Sequence, residues 1–267
     1  MTPLDLQAFH LTLPPTQDDL PYDDGVPMES QRHQLQMELL INALIPWLDA
    51  REDGYVGGNM FVYYSLQQVR HQDFRGPDVF VVLNVPKGER KSWVCWEEGK
   101  SPDVVIELLS VSTQDADKGE KKAIHQNQMR VAEYFWYDPF NPDDWAGFQL
   151  RGTYQPIAVN AQGQLVSQVL NLGLTRWLGT YQGVSTTWLR WVNLDGTLLP
   201  TPTELAEQRA HQAEQRADQA EQRAHQAEQQ MRQTVQNLRQ AGMDVAQIAQ
   251  ITGLSLDALA IFLADAG

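Results

Sequence analysis

Asp78, Glu107 and Lys121 are two carboxylates and an ammonium whose order and spacing suit work on a phosphodiester. The acids could share a hard divalent cation that keeps waters for chemistry, and the ammonium could face the charged phosphate. Asp78 opens the apolar run Asp78-Val-Phe-Val-Val-Leu83, and Glu107 lies inside Asp103-Val-Val-Ile-Glu-Leu-Leu109. Both runs are short, rich in β-branched residues and bounded by Pro, Gly or Ser, so both read as buried strands. A charge inside a buried strand must find a cation or take up a proton. A metal ion meets that demand at Glu107. So does a structural ion pair with a buried Lys or Arg, and the run alone leaves both open.

Ser110-Val-Ser-Thr113 passes into a helix whose first turns hold Asp115, Asp117, Lys118 and Lys121. Pro77-Asp78-Val79, the run Val104-Val-Ile-Glu-Leu-Leu-Ser-Val-Ser-Thr113, Asp117 with Lys121, and Glu133-Tyr-Phe-Trp-Tyr-Asp-Pro139 follow in order. Over about residues 28 to 195 this string resembles the Uma-two endonuclease family of the PD-(D/E)XK, restriction-endonuclease-like nucleases. The resemblance implies an α/β fold with a central mixed β-sheet flanked by helices, and a metal-dependent endonuclease acting on DNA rather than RNA. It further implies Mg2+ as cofactor, with Mn2+ able to substitute, held by Asp78, Glu107 and the backbone carbonyl of Leu108. Where the superfamily usually has lysine, two residues after the glutamate, this chain has Leu109; the resemblance assigns the ammonium to Lys121, from a migrated position. Glu29 is similar to the family's additional acid near the metal, and equally reads as an ordinary acid at a helix N-terminus. Asp103 and Asp117 are second-tier acids, the first a candidate strand cap and the second a candidate holder of Lys121. His33, His71 and His125 lack metal-ligand spacing and read as structural or solvated.

The competing reading is a catalytically silent nuclease fold serving as a dimeric binding or scaffold module. Leu109 and a net charge of −14 motivate it, because a grip on duplex DNA commonly needs a basic footprint. Arg70, His71, Arg75, Lys87, Arg90, Lys91 and Lys100 could line such an edge on an acidic protein. The 267 residues, 42% of them hydrophobic, suit one substantial core with an appendage. No apolar stretch approaches a membrane span, and an acidic start is unlike a secretory or organelle leader. Cys95 is the only cysteine, which rules out an internal disulfide and Cys-rich zinc sites and fits a cytoplasmic setting.

Four segments are expected. Residues 1–27, rich in Pro and Asp, form an extended or partly mobile arm, and residues 28–200 form the nuclease-like domain. Its first helix runs from Met28 to Ala50, with Pro46 as a kink or end. Strands follow over 55–64, at Asp78, at Trp93, at Glu107 and over 133–137, then over 145–150, 154–159, 165–169 and 187–192; Trp145, Trp177, Trp188 and Trp191 are more often packing than base-stacking platforms. Residues 204–240 carry a heptad with Ala210, Ala217, Ala224, Met231 and Leu238 at a and Ala206, Ala213, Ala220, Ala227 and Thr234 at d. Arg209, Arg216 and Arg223 fall at g and Glu214, Glu221 and Glu228 at e, which specifies a parallel homodimer over a single solvated helix. Residues 241–267 form a short helical hairpin with Ser255 as an N-cap. Its second helix has Asp257 and no Lys or Arg, so protein interaction is favoured over DNA reading.

Overall fold

The computed structural model describes residues 14–22, 30–66 and 76–264. Ser30 caps helix α1 (Gln31–Asp49), its side chain accepting from the His33 amide. Pro46 lies inside the helix, which runs on to Asp49. The expected strand over 55–64 is two pieces, β1 (Tyr55–Gly57) and β2 (Val62–Tyr63). Gly58 and Asn59 separate them, Asn59 at φ 47. A Cβ at Gly58 would stand 2.5 Å from Ile41 Cδ1 and 2.7 Å from the Asp78 carbonyl oxygen, so only glycine lets the chain pass there.

β3 (Val79–Val82), β4 (Trp93–Val94), the single helical turn α2 (Cys95–Glu98) and β5 (Val104–Leu108) follow. Helix α3, residues 114–129, alternates α-helical turns with π-helical turns at Asp117–Lys121 and His125–Met129. Then come β6 (Glu133–Tyr137), β7 (Trp145–Arg151) and β8 (Thr153–Ile157). The main sheet has the order β1-β3-β5-β6-β7-β8, with β5 and β6 parallel and every other pair antiparallel. Joining parallel neighbours requires a crossover, and α3 is that crossover.

Residues of period two divide the sheet's faces. Val79, Val81, Val104, Ile106, Leu108, Phe135 and Tyr137 pack toward Leu40 and Leu44 of α1. Phe80, Val82, Val105 and Tyr134 pack toward Ile124 and Met129 of α3. β9 (Gln164–Ser167), β10 (Leu172–Tyr181) and β11 (Val184–Val192) make a second, antiparallel sheet that joins the α1 side through Leu174, Leu189 and Trp191. Trp188 and Trp191 are fully buried, and Trp145 and Trp177 pack against apolar clusters, so all four serve packing. Residues 14–22 are fastened instead of loose: Tyr63 and Trp96 donate to the carbonyls of Pro21 and Pro15, and Leu20 packs with Phe61 and Val94.

Contacts divide the chain into two units, residues 1–203 and 204–267. α4 (Pro202–Gln240), which lies in the second unit from Glu204 on, is one continuous helix whose seam alanines from Ala206 to Ala227 are all exposed. α5 (Val245–Thr252) carries a full capping box at Asp244 and Gln247, and Ser255 Oγ accepts from the Ala258 amide at the start of α6 (Leu256–Ala264). Ile248 and Leu259 bury against Val235, with Leu238 beside them, so the hairpin covers the end of its own long helix.

Candidate active site

β3 and β5 pair with Val79 opposite Ile106. Extending that register by one residue sets Asp78 opposite Glu107, and directly opposed residues share a face of the sheet. By alternation after Phe80 and Val105, that face is the one α3 covers. Asp78, half-buried at the strand's start, accepts at Oδ2 from the Leu108 amide at 2.7 Å. Its backbone is held by the Asn59 amide, which lies 3.1 Å from the Pro77 carbonyl and 3.3 Å from that of Asp78. The Gly58 passage thus sets the height of one acid.

The ammonium comes from α3. Asp117, Lys121 and His125 follow at four-residue steps, and an ideal α-helix would rotate each step past the previous one by about 40°. The interposed π turns widen the helix and keep the three residues in a column, a distortion common at functional positions. Lys121 Nζ lies 2.6 Å from Asp117 Oδ1 and 3.5 Å from Glu107 Oε2. His125 Nε2 lies 3.4 Å from Glu107 Oε1. Tyr134 donates to the Asp117 carbonyl at 2.7 Å, tying the head of the column to β6.

Asp117 and Glu107 are each 1% exposed. Burial pushes the Glu107 carboxyl up to about 7, the Lys121 ammonium opposing the shift and the Asp117 charge adding to it. Burial, then the Glu107 charge, also raises Asp78 well above the usual carboxylate range, with the Leu108 amide and Lys121 offsetting part. Burial works against the charge on Lys121, but Glu107, Asp117 and Asp78 together outweigh it and raise its pKa. Three carboxylates therefore share one ammonium. Glu107 Oε2 and Asp117 Oδ2 make no hydrogen bond.

That deficit of positive charge fits a hard divalent cation. Among the described residues no three His, Cys, Asp or Glu side chains form a ready-made cage. Magnesium needs none, since one or two carboxylates with waters and substrate oxygens satisfy it. Asp78 and Glu107 are the two carboxylates that the strand register brings together there.

Asp103 stands apart. Four residues up β5 from Glu107, about 13 Å away, its Oδ2 accepts from the Leu83 amide at 2.7 Å and pairs with Lys100 at 2.8 Å. It is a structural acid at the far end of the strand. Glu29 lies outside the described residues, as do Arg70, His71 and Arg75. The rest of the expected basic edge is neutralised: Arg90 pairs with Glu98, Lys91 with Asp18, Lys100 with Asp103, and Lys87 lies 4.0 Å from Asp49. A different cationic row lies one residue on from the site column of α3 at Lys118 and Lys122, and Arg130 follows at the helix's C-cap. Lys118 pairs with Asp144, Lys122 lies over the rings of Phe148 and Trp136, and Arg130 bonds only the Gln126 and Gly152 carbonyls among the described residues. His125, expected to be structural or solvated, is instead buried against Glu107 in the site, because its lack of metal-ligand spacing says nothing of a contact made across the crossover; the sequence signal for it is the repeat of polar residues every four positions.

A sequence model of the Uma2 family, described as "Putative restriction endonuclease", matches residues 6–179. No curated protein matches. Among solved structures, the chain is similar to a crystal structure described as a putative nuclease belonging to DUF820 from Anabaena variabilis. The identity is 16% and the TM-score 0.40, over 59% of this chain and 91% of that one.

Proposed function

This chain belongs to the Uma2 family, and on that premise we propose that it is a Mg2+-dependent endonuclease that hydrolyses phosphodiester bonds in DNA. The observation that carries the reading is the convergence of Asp78, Glu107 and Lys121 in a buried site with more acid than base. Asp78 and Glu107, with the Leu108 carbonyl, would hold the cation. When bound, magnesium supplies a water of lowered pKa and charge stabilisation at the phosphate. Lys121, kept cationic by Asp117 and Glu107, orients the attacking water and stabilises the charge that builds on the phosphoryl oxygens. A cytoplasmic setting fits a lone cysteine and a DNA substrate. Purified protein with supercoiled plasmid and Mg2+ or Mn2+ tests the reading: nicking or linearisation is expected, lost in Asp78→Asn, Glu107→Gln and Lys121→Met. Activity equal in all four proteins, or absent from the wild type, removes it.

The working unit we propose is a parallel homodimer through α4. Arg209, Arg216 and Arg223 have only Leu, Ala or Gln at three and four residues in either direction, so the helix gives them no internal acid. In a parallel pair each meets the partner's Glu five positions on, whereas an antiparallel pair opposes like charges. Alanine buries little area, and Leu238 is already packed against the hairpin, so the seam is weak. Reversing the three arginines to glutamate should turn a full-length dimer into a monomer by mass measurement, and a wild-type monomer ends the proposal.

A further inference from the structure

We propose that His125 is a positioning residue that donates from Nε2 to Oε1 of Glu107 and so fixes which oxygen of that carboxylate is left for Lys121 and a divalent cation. The two oxygens of Glu107 are divided between groups one helical turn apart, with His125 3.4 Å from Oε1 and Lys121 3.5 Å from Oε2. A carboxylate with neither contact is free to swing about its last torsion, which is broad for glutamate. Both contacts together define one plane. His125 is 1% exposed, and a polar ring is costly to bury unless its nitrogens are used. Its ring lies 5.2 Å from that of Tyr134, whose hydroxyl holds the Asp117 carbonyl, so Asp117, Lys121 and His125 form one braced column.

A carboxylate that meets a cation is ionised and can only accept, so in this role His125 carries its hydrogen on Nε2. No proton moves in the role assigned here; the imidazole orients an acid that meets the cation. Outer partners of this kind typically contribute about 10–100-fold in metal affinity or activity. The site residues' role in cleavage rests on the nuclease reading above, but the orientation of Glu107 can be read without DNA.

Long-range proton–nitrogen NMR of the Mg2+-saturated, full-length protein should find Nε2 of His125 protonated, with a resonance that moves in Glu107→Gln. Mn2+ titration by calorimetry, again without DNA, should then find affinity about tenfold or more lower in His125→Phe. His125→Gln, which restores a donor, should recover most of the loss. An unprotonated Nε2, no Mn2+ binding by the wild type, equal affinity in all proteins, or equal loss in Phe and Gln variants overturns the assignment. If these signatures hold while plasmid stays uncut, the nuclease reading fails and the positioning role stands. If plasmid is cut and the signatures are absent, the reverse is true.

Discussion

The two ends of β5 treat a carboxylate in opposite ways. At one end Asp103 has a backbone amide and a lysine of its own, so its charge is matched one to one. At the other, Glu107 competes with Asp78 and Asp117 for a single ammonium and keeps one oxygen without a hydrogen bond. A fold that only needed to bury an acid would use the first arrangement throughout. The second costs stability, and such a cost is what the proposed cation-binding centre would carry without an ion.

Substitutions at both ends separate these roles, and the largest effect belongs to cleavage. Glu107→Gln and Lys121→Met should lower the plasmid nicking rate by about a hundred- to a thousandfold, a loss in the range for removal of a principal charge-stabilising group. Asp103→Asn should stay within a few-fold of wild type. Equal losses at both ends would erase the distinction between them. Gly58→Ala should come next: its Cβ meets the Asp78 carbonyl, and a displaced acid should slow cleavage by about 10–100-fold while circular dichroism keeps the same fold.

Stability should move the other way. Asp103→Asn removes a matched, half-buried charge and should cost about 1–3 kcal/mol in urea unfolding. Glu107, whose folded pKa is raised to about 7, favours the metal-free fold fully only below its ordinary value of 4.5, and that contribution is lost as pH rises through 7. Glu107→Gln should therefore raise metal-free stability at pH 8 by on the order of 2 kcal/mol, and by little at pH 5. A gain that does not depend on pH would sink the claim that Glu107 is an acid held against its preference. The smallest effect concerns the outer row: Lys122→Ala with Arg130→Ala should weaken DNA binding by Glu107→Gln protein and reduce its salt slope by about two.

Part of the candidate site's grouping is legible in the chain because its signals are local. Glu107 is conspicuous as a charge within Val104-Val-Ile-Glu-Leu-Leu109, and Asp117 with Lys121 is a four-residue step on one helix. What lay beyond the sequence depends on pairing across distance. Asp78 opposes Glu107 only because β3 and β5 take one register, and one residue of slip would send it to the other face. Arg90, Lys91 and Lys100 look like a free cationic edge until Glu98, Asp18 and Asp103 are seen beside them. β10 went unread since Leu172-Gly-Leu-Thr-Arg-Trp-Leu-Gly-Thr-Tyr181 alternates weakly and carries two glycines; its long pairing with β11 sustains it. His125 required both the crossover and the π turns to reach Glu107.

The most direct test is the melting temperature of the full-length chain with and without Mg2+, at pH 8 and pH 5, beside Glu107→Gln and Asp103→Asn. An acid-rich site waiting for a cation predicts that Mg2+ stabilises the wild type and Asp103→Asn at pH 8, does far less at pH 5 where the carboxyls hold protons, and leaves Glu107→Gln unmoved. No shift at pH 8, or the same shift in Glu107→Gln as in the wild type, would contradict it.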